Sequence, residues 1–401
     1  MFAVLSLIRK AISRLRLPRG PLLLVTALGL AACQPGAMPG PIAGDGPRVS
    51  PDSEVPVALL VPGGSGEASD DVLARSLENA ARMAAADLRG ARIDLRVYDT
   101  AGRADRAAEA ARRAVDEGAQ IILGPVFSES ARAAGQAVAS ANVNVLSFSN
   151  NKEVAGGNVF VLGPTFDNTA RRLVDYAAQS DQRRIMILHE RNDSGRQGRR
   201  AIEDAVARSP ATVAAVRSFE FSQQGVVDAL PDITSGAREN GVDAVFMTSD
   251  TAGALPLLAQ LLPENRVTPD DFQFIGLTRW DIPSSTLQLS GLQGGWFALP
   301  DPARTRRFEQ RYQSRYDDRP HPIAGLAFDG IAAIGALVSE GRRDALSREA
   351  LTQGAGFAGA TGVFRLRFDG TSERGLAVAE IRDEQVNVLD PAPRAFTGPG
   401  S

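Results

Sequence analysis

Two spacings of apolar positions alternate along most of this 401-residue chain. Short apolar runs bounded by Gly, Pro, Asn or Asp give way to longer segments in which Ala and Leu recur every three or four residues. The first run, Val57-Ala58-Leu59-Leu60-Val61, is continuous rather than alternating. It predicts a strand buried on both faces. A Gly-rich turn over 62–66 leads to a helix with Leu73, Leu77, Ala80, Ala81 and Ala84 on one side. Residues 93–99 alternate as a second strand, and an Ala-rich helix over 105–117 closes at Gly118. Ile121-Ile122-Leu123, a helix over 128–140 and a strand over 143–147 complete this block.

The alternation resumes after Pro164. Helices over 167–178, 196–207, 225–240 and 253–262 lead in turn to strands over 184–189, 212–221, 244–247 and 272–276, and a further strand over 295–299 ends the block. Helices over 304–315 and 324–338 follow. Two last strands, 362–368 and 376–381, flank the turn signal Asp369-Gly370 and read as an antiparallel pair. Strand–helix alternation with short loops predicts the α/β class: two doubly wound lobes, each around its own parallel sheet. Ligands of such sheets sit beyond the carboxyl ends of the strands, here in a cleft between lobes. Lobe one is expected over about 55–164 and 300–343, lobe two over about 165–299 and 344–391, with a disordered tail at 392–401.

The amino-terminal 54 residues break the pattern. Arg9, Lys10, Arg14, Arg16 and Arg19, with no acid among them, precede an apolar run over 22–30 and then Ala31-Ala32-Cys33. This is the order of a secretory signal, and the run is too short to span a bilayer. The small-small-Cys ending resembles a bacterial lipobox. That resemblance implies a signal peptide over 1–32 and an acylated Cys33 heading the mature chain, anchored by its lipid. Gln34 in place of Asp points to the outer membrane. Residues 33–54, rich in Pro and Gly, read as a tether.

Composition narrows the function. A hydrophobic fraction of 44% and a charged fraction of 23% are those of a soluble globular protein. Removing the five cations of the leader from the net charge of −3 leaves −8, which argues against nucleic-acid binding. Two histidines without ligand spacing argue against a metal site. No Gly-x-Ser-x-Gly elbow supports a hydrolase. The expectation is a protein without catalytic residues or cofactor.

Several segments carry a family resemblance: the turn at 61–64, the helix holding Ala80 to Ala86, and Ile121-Ile122-Leu123-Gly124-Pro125-Val126-Phe127-Ser128. To these add Val145-Leu146-Ser147-Phe148-Ser149-Asn150, Asn192-Asp193-Ser194-Gly195-Arg196-Gln197-Gly198, and the stretch 357–369. In this order they resemble the type I periplasmic binding proteins of the leucine-binding superfamily. The resemblance implies three crossings between lobes, near Pro164, Leu299 and Arg343. In amino-acid-binding members, hydroxyls and backbone N–H groups of lobe one hold the carboxylate. Those positions match Ser128, Ser149 and Asn151, with Ser65 in the adjoining turn. The family's ammonium-binding acid falls near Thr278, a neutral residue beside Arg279, and its usual tyrosine falls at Ser194. Asp250 is the acid that could replace the missing one. Ser and Asn at such positions also serve turns and helix caps. Trp280 reads equally as a binding-loop or a core residue. Arg304, Arg306, Arg307, Arg311 and Arg315 read as a solvated helix face or a partner patch.

Within the superfamily the chain is most similar to penicillin-binding protein activator lipoproteins, whose best-known members have a helical-repeat domain where the tether is here expected to lead straight into the α/β body. This implies regulation of peptidoglycan synthesis through contact with a class A penicillin-binding protein, with a muropeptide or small polar ligand in the cleft. The alternative is the substrate-binding lipoprotein of an ABC transporter for amino acids or a related small polar solute.

Overall fold

A computed structural model describes residues 47–50 and 53–396. Cys33, the leader and most of the expected tether lie outside the described residues. The first lobe takes β1 (Val55–Val61), α1 (Ala68–Asp87), β2 (Ile93–Asp99), α2 (Ala104–Asp116), β3 (Ile121–Leu123), α3 (Ser128–Val138), β4 (Asn144–Ser147) and β5 (Val159–Val161). Their sheet has the order β2-β1-β3-β4-β5 and is parallel throughout. Because side chains alternate across a strand, Val57, Leu59 and Val61 enter one core while Ala58 and Leu60 enter the other. On the latter side α2 and α3 press small residues, Ala107, Ala111, Ala131 and Ala134, against the sheet. Gly135 completes that face: a Cβ there would lie 2.2 Å from Val159 Cγ2.

The second lobe takes α4 (Phe166–Gln179), β6 (Arg184–Glu190), α5 (Asp193–Val206), β7 (Thr212–Phe219), α6 (Gln223–Glu239), β8 (Ala244–Met247), α7 (Leu255–Glu264), β9 (Gln273–Gly276) and β10 (Trp296–Leu299). The same alternation sends Met186 and Leu188 toward α6 and α7, and Ile185 and Ile187 toward α4 and α5. The chain then returns through α8 (Pro302–Tyr316), α9 (Gly325–Ser339), α10 (Arg348–Leu351), β11 (Phe357–Ala358), β12 (Val363–Leu366) and β13 (Ser372–Arg374). It ends in β14 (Ala377–Arg382) and β15 (Gln385–Asp390). The second sheet has the order β15-β14-β10-β9-β8-β6-β7, with β14 antiparallel to β10.

Four expectations change. The body begins before residue 55: Val49 is buried in the first core, and its N–H donates to Arg343 O at 2.8 Å. The third crossing falls at Gly375 rather than near Arg343. Leu346, Leu351, Phe364 and Leu366 fill the first core, whereas Leu376 belongs to the second lobe. The Asp369-Gly370 turn joins β12 to β13, and the expected partner strand instead extends the large sheet as β14. The expected disordered tail is anchored at two points: Ala392 is buried, and the Phe396 ring lies 4.6 Å from the Arg365 guanidinium carbon.

Candidate functional site

The carboxyl ends of the strands carry the polar loops. In the first lobe, the turn after β3 and the one after β4 bring Ser128 and Ser149 together, their hydroxyls 3.0 Å apart. Ser149 Oγ also accepts the Asn151 N–H at 3.1 Å, and Asn151 Oδ1 accepts the Glu153 N–H at 2.9 Å. Ser65 Oγ accepts the Glu67 N–H at 3.1 Å. These residues therefore do turn and cap chemistry where they stand. Gly124 makes the β3 turn possible: its φ is +86°, and a Cβ would lie 2.2 Å from Leu60 O.

In the second lobe the loops begin at helix caps that the sequence marks. Asn192 caps α5 by accepting the Gly195 N–H at 2.7 Å, and Ser222 caps α6 by accepting the Gly225 N–H at 3.0 Å. Ser194 is exposed in the first turn of α5. Asp250 is exposed after β8, its Oδ1 accepting the Ala252 N–H at 3.1 Å. Thr278 Oγ1 donates to Ser249 O at 3.2 Å. Arg279 pairs with Asp281, Nε donating to Oδ1 at 2.6 Å and Nη2 bonding Oδ2.

A cavity of about 270 Å³ lies where the crossings run between lobes. The crossings supply Pro164, Pro300 and Gly375. Lobe one supplies Asn150, Ile323 and Leu326, and lobe two supplies Phe166, Leu277, Thr278, Arg279 and Leu376. Of the expected site residues, Thr278 and Arg279 line this cavity; Ser65, Ser128, Ser149, Asn151, Ser194 and Asp250 do not. The loop bearing Asp250 is nevertheless tied to its wall, since Thr251 Oγ1 donates to the carbonyl of Ile282, a lining residue, at 2.7 Å. Trp280 is no binding-loop residue. It is fully buried, wedged where a Cβ at Gly276 would come within 2.1 Å of its ring and one at Gly295 within 2.5 Å. The arginines of α8 are mainly solvated while Phe308 and Tyr312 turn inward, and Arg311 pairs with Asp87.

The hinge holds a knot that periodicity does not reveal. Asp329, fully buried on α9, accepts from Arg374 Nη1 at 2.8 Å and from the Ala360 N–H at 2.6 Å. Arg374 Nε donates to Leu162 O at 2.8 Å, and its N–H donates to Asn168 Oδ1 at 2.9 Å. One guanidinium thus joins a lobe-one helix to the first and third crossings.

Sequence reading also missed Glu190. It ends β6 and is 5% exposed, and its Oε1 has no hydrogen-bond partner among the described residues. Burial pushes this carboxyl above the ordinary carboxylate range, and the charge of Asp250 adds to the effect. Asn192 Nδ2 reaches Oε2 at 3.4 Å, and the Ser249 hydroxyl lies near enough to ease the charge without forming a well-directed bond. Next to it, burial holds the His189 imidazole below its usual range, and Arg199 and Arg196 reinforce this. Among the described residues no group of three His, Cys, Asp or Glu side chains is arranged to hold a metal.

The profile described as periplasmic binding protein matches residues 54–385. The chain belongs to the periplasmic binding protein family. No curated protein matches it by sequence. Solved members of the fold match across nearly their whole length. A branched-chain amino acid ABC transporter periplasmic ligand-binding protein from Burkholderia xenovorans is 16% identical with a TM-score of 0.68, over 85% of this chain and 96% of its own. An ABC transporter substrate-binding protein from Desulfitobacterium hafniense, solved with leucine, is 18% identical with a TM-score of 0.63, over 84% and 100%. A solute-binding protein of an ABC transporter from Rhodopseudomonas palustris, in complex with 3,4-dihydroxybenzoic acid, is 16% identical with a TM-score of 0.60, over 86% and 99%. At these identities the likeness is one of fold. For this periplasmic binding protein the two-lobe architecture expected from the sequence holds. These three solved proteins are named as ligand-, substrate- or solute-binding components of ABC transporters.

Proposed function

We propose that this chain is the solute-receiving component of an ABC importer, held at the membrane through acylated Cys33 and working in the periplasm. The observation that carries the reading is the 270 Å³ cavity at the junction of the lobes, with an apolar lining and a few polar groups from both sides. That is the makeup of a small-molecule site. Thr278 and Arg279 are its proposed polar contacts. Ser128, Ser149 and Asn151 on lobe one, with Ser65, and Ser194 and Asp250 on lobe two, are proposed to meet the solute when the lobes close on it.

Thermal melting of the full chain against a panel of neutral, anionic and cationic solutes tests this. A true ligand at about 100 times its Kd adds about 2.7 kcal/mol of stability. One solute class is expected to raise the melting temperature saturably. A flat response across the panel, with unchanged uptake in cells lacking the protein, would remove the importer reading. Cys33→Ser is expected to move the protein from the membrane fraction to the soluble periplasmic fraction.

A further inference from the structure

A second cavity, of about 230 Å³, is lined from both lobes and shares no lining residue with the first. Lobe one supplies Arg367 and Ser372 from the β12–β13 hairpin. Lobe two supplies Arg171 of α4 and Arg208, just past α5. The charges around these side chains do not cancel. Glu373, buried on β13, is shared by three guanidiniums. Its Oε1 lies 2.8 Å from Arg171, and its Oε2 lies 2.7 Å from Arg365 and 2.5 Å from Arg367. Burial holds the Arg171 guanidinium below its ordinary range; Glu373 and Asp175 oppose this, and the charges of Arg367 and Arg365 add to it. Arg208 is exposed and has no ion-pair partner among the described residues. The carboxylates that line the same cavity are already engaged. Lys152 Nζ lies 2.6 Å from Asp167 Oδ1 and 3.9 Å from Asp204 Oδ2. Asp369 Oδ1 accepts the N–H of Thr371 at 2.9 Å and its hydroxyl at 2.6 Å. Ser372, next to Glu373, is 7% exposed, and its Oγ is buried with no hydrogen-bond partner among the described residues. A buried hydroxyl is normally paired, so one that belongs to a cavity wall calls for a partner in the cavity.

We propose that Arg171, Arg208, Arg367 and Ser372 form a phosphate-binding site that bridges the lobes. Guanidiniums present paired N–H donors to phosphate oxygens, and the Ser372 hydroxyl adds one more donor. The donors come from three places in the fold: α4, the end of α5 and the β12–β13 hairpin. A tetrahedral oxyanion offers oxygens in several directions to such a set, whereas a carboxylate offers two in one plane. The anion balances the positive charge left over around Glu373. Bound there, it ties the hairpin of lobe one to α4 and α5 of lobe two. The site is independent of the solute reading, which rests on the other cavity.

Inorganic phosphate titrated calorimetrically into the full chain, against sodium chloride at matched ionic strength, tests the site. Phosphate is expected to bind saturably and chloride not to bind. Ser372→Ala removes only an unpaired hydroxyl, and Arg208→Gln only an unpaired surface charge, so neither is expected to lower the melting temperature. Ser372→Ala is expected to weaken phosphate about ten-fold, and Arg208→Gln to weaken it by less, because that side chain is exposed. Glycerol 3-phosphate, titrated in parallel, tells the two sources of the group apart: tighter binding than phosphate assigns the site to the phosphate end of a larger molecule, and weaker binding assigns it to the free ion. The site is overturned if neither compound binds better than chloride. It is also overturned if both variants bind phosphate as the parent does, which would mean an adventitious ion only.

Discussion

Glu190 changes its proton affinity on folding, and the sign can be worked out. Its folded pKa is raised, so the folded state holds this proton more tightly than the unfolded chain does. The resulting stability is fully present below the ordinary carboxylate range and is lost as pH rises through the raised value. Glu190→Gln removes that titration. It is expected to match the parent in acid and to exceed it in melting temperature at neutral and alkaline pH, in a melting series across pH. His189 and His321 tilt the other way. Burial lowers both, so their contribution is present above the ordinary histidine range, near 6.5, and is lost as pH falls through the lowered values. His189→Gln is expected to flatten the acid limb of the same curve. Neither histidine does more in sequence than end a strand or sit between prolines; their titration depends on what folds over them.

At the scale of elements, close packing of small residues decides much. Trp280 fills the space that Gly276 and Gly295 vacate and stacks on Phe297 at a centroid distance of 6.4 Å. Trp280→Ala is expected to cost about 3–5 kcal/mol in denaturant unfolding, as for other large core truncations. A binding-loop tryptophan would instead leave stability nearly unchanged. The strands and helices themselves were legible because continuous apolar runs and three-to-four spacing are local signals. The short strand β13, Ser372-Glu373-Arg374, was not, since it holds no apolar residue. The pairing of β14 was misread because a turn signal says where a chain reverses, not which strand it finally meets.

At the scale of the molecule, the Asp329–Arg374 knot braces the base of the crossings, and the Arg374 backbone N–H carries it on to Asn168 of lobe two. Asp329→Ala leaves a buried guanidinium without its counter-charge, and breaking such a pair costs about 3–5 kcal/mol. Chemical unfolding should show that loss. Asp329→Asn, which keeps acceptor and shape, should lose less. Arg374 and Asp329 are 45 residues apart, so no spacing along the chain points to their contact. The third crossing moved for the same reason: which lobe claims residues 345–366 is decided by the core they fill.

Apolar periodicity by itself determined the class, the two lobes and the order of the longer strands and helices, because each element must bury one stripe or two faces whatever it packs against. It also placed the loops at the strand ends, where the family resemblance then singled out Thr278 and Arg279. Tertiary structure alone decided which polar groups met. It closed the lobe-one serines on each other, sank Trp280 into the core and buried the Glu190 carboxyl, because these outcomes depend on distances between segments that have no relation in the chain.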